Sequence, residues 1–142
     1  MPITYCIFED IDLCYAIWLG KLTTGEVREN FHAYLNDPKY KPGRTELIDL
    51  SRLVAPIMSF TEMQGFLLEV NEQPVPEPGQ ILIVVFAPTD FAYGQSRMFQ
   101  TLASLRQGVT LTVCRSEVEA LAAAGRPEKT ISEFLEQQTA LV

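Results

Sequence analysis

Apolar positions recur along this chain at two spacings, and the change from one to the other marks out the elements. Ile3–Phe8 and Ile11–Leu19 flank Glu9-Asp10 and read as two strands of a hairpin, although Glu-Asp is not a favoured two-residue turn. The second of these is apolar on both faces, with Leu13, Tyr15 and Ile17 on one side and Cys14, Ala16 and Trp18 on the other. Gly20 ends it. Thr23 and Glu26 then form a capping box, and Val27, Phe31, Tyr34 and Leu35 give the first helix its inner stripe. Pro38 and the turn Lys41–Gly43 lead into Leu47, Ile48 and Leu50 around Asp49. A run this short and this apolar suits a central strand covered on both faces.

Ser59 and Glu62 form a second capping box, after which Phe60, Met63, Leu67 and Val70 recur at helical spacing. Three prolines stiffen the loop Gln73–Gly79. Gln80–Ala87 is a fourth strand. Pro88–Asp90 leads to a third helix with Phe91, Gln95, Met98, Leu102 and Leu105 on one line and Asp90 as N-cap or first-turn acid. Gly108 stops that helix, and Val109–Cys114 is a fifth strand. Capping boxes at Ser116/Glu119 and Thr130/Glu133 open two last helices, the second with Ile131, Phe134, Leu135 and Leu141 inward.

The order β-β-α-β-α-β-α-β-α-α predicts one α/β domain over residues 1–142, with a five-stranded mixed, mostly parallel sheet. In such sheets sites form where strand ends meet helix starts. The polar tail of the third strand, Asp49 and Ser51, faces the second helix start across the loop Arg52–Met58, so that edge is the expected hot spot.

Composition narrows the function. The 142 residues carry a net charge of -7, and the eleven basic residues are scattered, which disfavours sequence-independent nucleic-acid binding and anionic membrane surfaces. No basic and apolar leader opens the chain, and the longest apolar run, Ile81–Pro88, falls well short of the about 20 residues of a membrane span. Three cysteines make no disulfide framework. A cytoplasmic protein with reduced thiols is expected.

Candidate chemistry is sparse. A phosphate on Ser59 or Thr61 would meet the free N–H groups of a helix start, but Ser59 also simply caps its helix, worth about 1 kcal/mol. Asp49 can orient a ligand or satisfy the N–H groups of its own loop. Tyr93 and Arg97, four apart, can offer an aromatic face and an anion contact or pack on each other at the surface. His32 has no partner at ligand spacing, so no metal is expected. Cys6 and Cys14, on paired strands and nearly opposite, read as small buried hydrophobes rather than a redox pair; Cys114 is the best placed for reactivity. No phosphate loop, nucleophile elbow or zinc-protease motif occurs, so neither enzyme chemistry nor a cofactor is expected.

Three patterns carry a resemblance: Gly20–Thr23 opening the first helix, Asp37–Gly43 leading into Glu46–Ser51, and Tyr93–Phe99 on the third helix before a Val-Thr-Leu-Thr-Val strand. In their joint order they resemble the STAS domain of bacterial anti-sigma-factor antagonists, in its SpoIIAA-like (STAS/SEC14-like) branch. The resemblance implies a non-enzymatic binding or regulatory module, with Ser59 at the phosphoacceptor position and Met58 and Phe60 beside it where the family pattern has Asp and a nearby Gly.

Two expectations of function follow. One is docking of a protein partner through Arg52–Met58 and the start of the second helix, with Asp49, Ser51, Ser59, Phe60, Thr61, Tyr93 and Arg97 as contact residues. The other is carriage of a small apolar ligand or lipid in a crevice at the C-terminal strand ends, suggested by Phe60, Met63, Phe91, Tyr93 and Met98. A homodimer through the last helix or the hairpin is compatible with either.

Overall fold

The computed structural model describes residues 2–72 and 80–140; the expected loop Gln73–Gly79 and the inward Leu141 lie outside them. The elements are β1 (Ile3–Phe8), β2 (Leu13–Trp18), α1 (Thr24–Leu35), β3 (Thr45–Asp49), α2 (Phe60–Asn71), β4 (Ile81–Phe86), α3 (Asp90–Ala103), β5 (Val109–Cys114), α4 (Glu117–Ala123) and α5 (Ile131–Ala140). The strands lie in sequence order, β1-β2-β3-β4-β5, antiparallel between β1 and β2 and parallel from there on. β3 is thus the middle strand, as its apolar run requires.

Period-two alternation sorts every strand residue to one face. Leu13, Tyr15, Leu47, Val84 and Phe86 meet Leu121, Ile131 and Phe134 of α4 and α5. Ile3, Leu50 and Val85 meet Val27 of α1, Met63 and Phe66 of α2, and Ala92 of α3. Three crossovers that step one strand at a time in one sense must share a face, and α1, α2 and α3 do so.

The helix starts follow the local chemistry. At Thr23 and Ser59 both halves of the capping box are present. At Ser116 and Thr130 the hydroxyl accepts from the third backbone N–H, but the Glu carboxylate goes elsewhere: Glu119 takes the Ser116 hydroxyl, and Glu133 takes the N–H of Lys129. The N-cap of α3 is Thr89, leaving Asp90 as the first-turn acid.

Three local expectations change. Residues 9–11 form a 3₁₀ turn and Asp12 turns left-handed (φ 53°), so β2 starts at Leu13 rather than Ile11. Glu-Asp does not suit a tight two-residue turn, and the chain spends more residues on the reversal. That register pairs Cys14 with Ile7 and Cys6 with Tyr15, so the two thiols point to opposite faces and form no redox pair; Cys14 is buried as expected, but Cys6 is exposed. Leu105 lies beyond the end of α3 and is 83% exposed, not inward.

Candidate functional site

On the α1–α3 face the β-sheet register lays down two straight rows of side chains. One row runs Ile7, Cys14, Glu46, Ile83, Leu111; the next runs Tyr5, Ala16, Ile48, Val85, Val113. The residues contributed by β2 are small here, Cys14 and Ala16, and the helices above do not close down on them. A partly enclosed cavity of about 170 Å³ is left between sheet and helices. Its floor includes Ala16, Trp18, Ile48 and Val85, and its roof includes Phe31 of α1, Phe66 of α2 and Phe99 of α3. A smaller lobe of about 90 Å³ adjoins it, shares Phe31, Tyr34, Glu46, Leu67, Val70, Ile83 and Leu111, and reaches the basic side chains of Lys41, Arg44 and Arg106.

Glu46 lines both lobes. By surface area it is only half-buried, yet protein surrounds it on all sides; the surface it keeps faces the cavity. Among the described residues no hydrogen bond or ion pair reaches its carboxyl. Desolvation alone raises its pKa from the ordinary 4.5 to about 7. Its neighbours register the same acid. Burial, and then the Glu46 charge, push the Cys14 thiol up to about 12, and burial followed by Glu46 raises the Tyr34 and Tyr40 phenols. The indole N–H of Trp18, another wall residue, is buried with no hydrogen-bond partner among the described residues.

Polar bridges hold the roof. Thr24 of α1 donates to Glu62 of α2 at 2.7 Å, and Arg28 donates to Glu69 at 2.9 Å, with His32 3.9 Å from the same carboxylate. Gln95 of α3 accepts from the Ile57 N–H and donates to the Met58 carbonyl, both at 2.7 Å, which fixes the loop leading to α2.

The residues expected from sequence lie around the edge of this arrangement. Asp49 is buried on the α4/α5 face, accepting from the Tyr15 hydroxyl at 2.7 Å and the Ser51 N–H at 2.9 Å; the pairing is structural and closes the loop. Tyr15→Phe therefore loses a hydrogen bond to a buried carboxylate and is expected to unfold about 1.5–3 kcal/mol more easily in urea. Ser59, Phe60 and Thr61 are exposed at the start of α2, where Ser59 caps the helix. Tyr93 carries the Arg97 guanidinium 6.0 Å from its ring and that of Arg115 at 4.8 Å, and Arg115 also bonds Asp90 and the Pro88 carbonyl. No described hydrogen bond or ion pair joins these three groups to one another. Phe60, Met63, Phe91, Tyr93 and Met98 do not line the cavity. Cys114 is buried, with its thiol pKa raised by desolvation, the opposite of a reactive cysteine.

Among the described residues no group of three or more His, Cys, Asp and Glu is placed to hold a metal, and no helix is long and apolar enough to cross a membrane. Compared with protein-family models, curated proteins and solved structures, the chain shows no match.

Proposed function

We propose that this protein binds a small, largely apolar molecule inside the cavity beneath α1, α2 and α3. The observation that carries the reading is the void itself. Interiors are close-packed, and a space of about 170 Å³ lined mostly by apolar side chains is more than an ordinary core leaves unfilled. A cavity of that size beside a carboxyl with no partner is supported better by a bound guest than by a core. Binding is expected to need no cofactor. Native mass spectrometry of the purified protein should find a co-purifying small molecule or take up an added one. Ala16→Leu, which fills existing space instead of crowding a packed core, should block uptake while melting no lower than the parent. A parent that never retains a guest, or an Ala16→Leu variant that binds as well, would count against the proposal.

A second reading keeps the protein-binding module. Val54 and Phe60 are 67% and 50% exposed on either side of the fixed Ile57-Met58 segment, with Ser59 and Thr61 beside them. Such apolar exposure next to a helix start suits a docked partner whose contacts are tuned by phosphorylation of Ser59, the arrangement that a STAS-like module would use; Ser51, Tyr93 and Arg97 then frame the contact, while the buried Asp49 holds the loop behind it. A one-to-one complex weakened by Ser59→Glu or Phe60→Ala supports this reading; an interactome unchanged by both removes it.

A further inference from the structure

The chemistry of the cavity is more selective than its apolar walls suggest. Its one acidic group among the described residues, Glu46, is anchored on the middle strand, where the backbone is fixed by pairing to β2 and β4 on both sides. The rings of Trp18, Phe31, Phe66 and Phe99 supply faces that are electrically negative. A cation is favoured by the carboxylate and by such faces together, a neutral polar head by the carboxyl alone, and an anion by neither.

Resting on the ligand-binding reading above, we propose that the cavity is a receptor for small amphiphilic amines, the ammonium head pairing with the Glu46 carboxyl and the apolar body lying among the aromatic rings. The groups facing Glu46 from the surrounding elements are consistent with that division. Cys14 of β2, Tyr34 of α1 and Tyr40 of the following loop are neutral near pH 7, with their pKa values held up by burial. Lys41, Arg44 and Arg106 belong to the smaller lobe. Arg44 already pairs with Asp12, and Arg106 donates to the Val70 carbonyl. An amine entering the larger lobe thus meets an acid that no described side chain neutralises.

Three probes share one body and differ only in the head: phenethylamine, phenethyl alcohol and hydrocinnamate. The chain has a single tryptophan, Trp18, and it lines the cavity, so its fluorescence reports occupancy without a label. At about pH 8, phenethylamine should give a saturable change and bind at least tenfold tighter than phenethyl alcohol. Glu46→Gln should remove that advantage and leave alcohol binding within about threefold. Glu46→Leu, judged in parallel for a native circular dichroism spectrum, repeats the test in a variant with no polar group at the position. If the alcohol binds as well as the amine in the parent, or if hydrocinnamate binds tightest, the head-group assignment is overturned while the cavity reading stands. If none of the three changes Trp18 and Ala16→Leu behaves as the parent, both fall together.

Discussion

Glu46→Gln should make the protein more stable above neutral pH, by about 3 kcal/mol at pH 8. The sign follows from which state holds the proton. Glu46 titrates near its ordinary 4.5 in the unfolded chain and at about 7 in the fold, so between these values the native state binds a proton that the unfolded state releases. Stability from this group is therefore intact below about pH 4.5, falls as the pH rises through the window, and is lost in full above about pH 7. A displacement of that size corresponds to about 3 kcal/mol. Asp37 and Glu62 are shifted the other way, downward, by hydrogen bonds; their effect appears in more acid solution and leaves the window to Glu46. Urea unfolding at a series of pH values should show the parent losing stability between about pH 5 and 7 and Glu46→Gln remaining level. A bound amine should restore the parent at pH 8, because it supplies the missing counter-charge.

Phe134→Ala is expected to cost about 3–5 kcal/mol and yet leave the cavity's affinity unchanged. Phe134 is fully buried against Leu47, Val84 and Leu121, packs T-shaped with Phe8 and tilted against Tyr15, and lies under the Arg126 guanidinium. All of that is on the α4/α5 face. The sheet separates it from the space under α1–α3, so truncation opens a new void without reshaping the old one. Urea titration measures the loss, and Trp18 fluorescence at low temperature measures binding in the fraction that is folded. A parallel loss of affinity would mean that the two faces are not independent.

The sheet and its helices were legible in the sequence because the period changes cleanly and because a Ser or Thr three residues before a Glu marks four helix starts. The middle position of Leu47–Leu50 was legible for the same reason: a short strand apolar on both sides has to be covered on both sides. The hairpin register was not. It depends on how many residues the reversal takes, and the left-handed Asp12 decides that.

The site was legible only in part. Alternation puts Glu46 with Ile48 and Leu50 on one face and Asp49 with Leu47 on the other, so a central strand implied two interior acids. Asp49 stands out in the sequence because it sits at the strand end. Its carboxylate is satisfied by Tyr15, which comes from 34 residues earlier in the chain. Nothing in the local pattern separates Glu46 from any other residue of a strand. A cavity consists of side chains that fail to reach one another, and local spacing does not record that failure. The small residues Cys14 and Ala16 on the helix-covered face of β2 were its one visible trace.

Methyl and aromatic NMR during titration with phenethylamine tests the central point most directly, since it reports where a guest sits as well as whether it binds. Saturable shifts should concentrate on Ala16, Phe31, Ile48, Phe66, Ile83 and Leu111, with the Glu46 side-chain carbon moving as its carboxyl ionises. Shifts confined to Val54, Phe60 and Tyr93, with the cavity methyls unmoved at saturation, would contradict it.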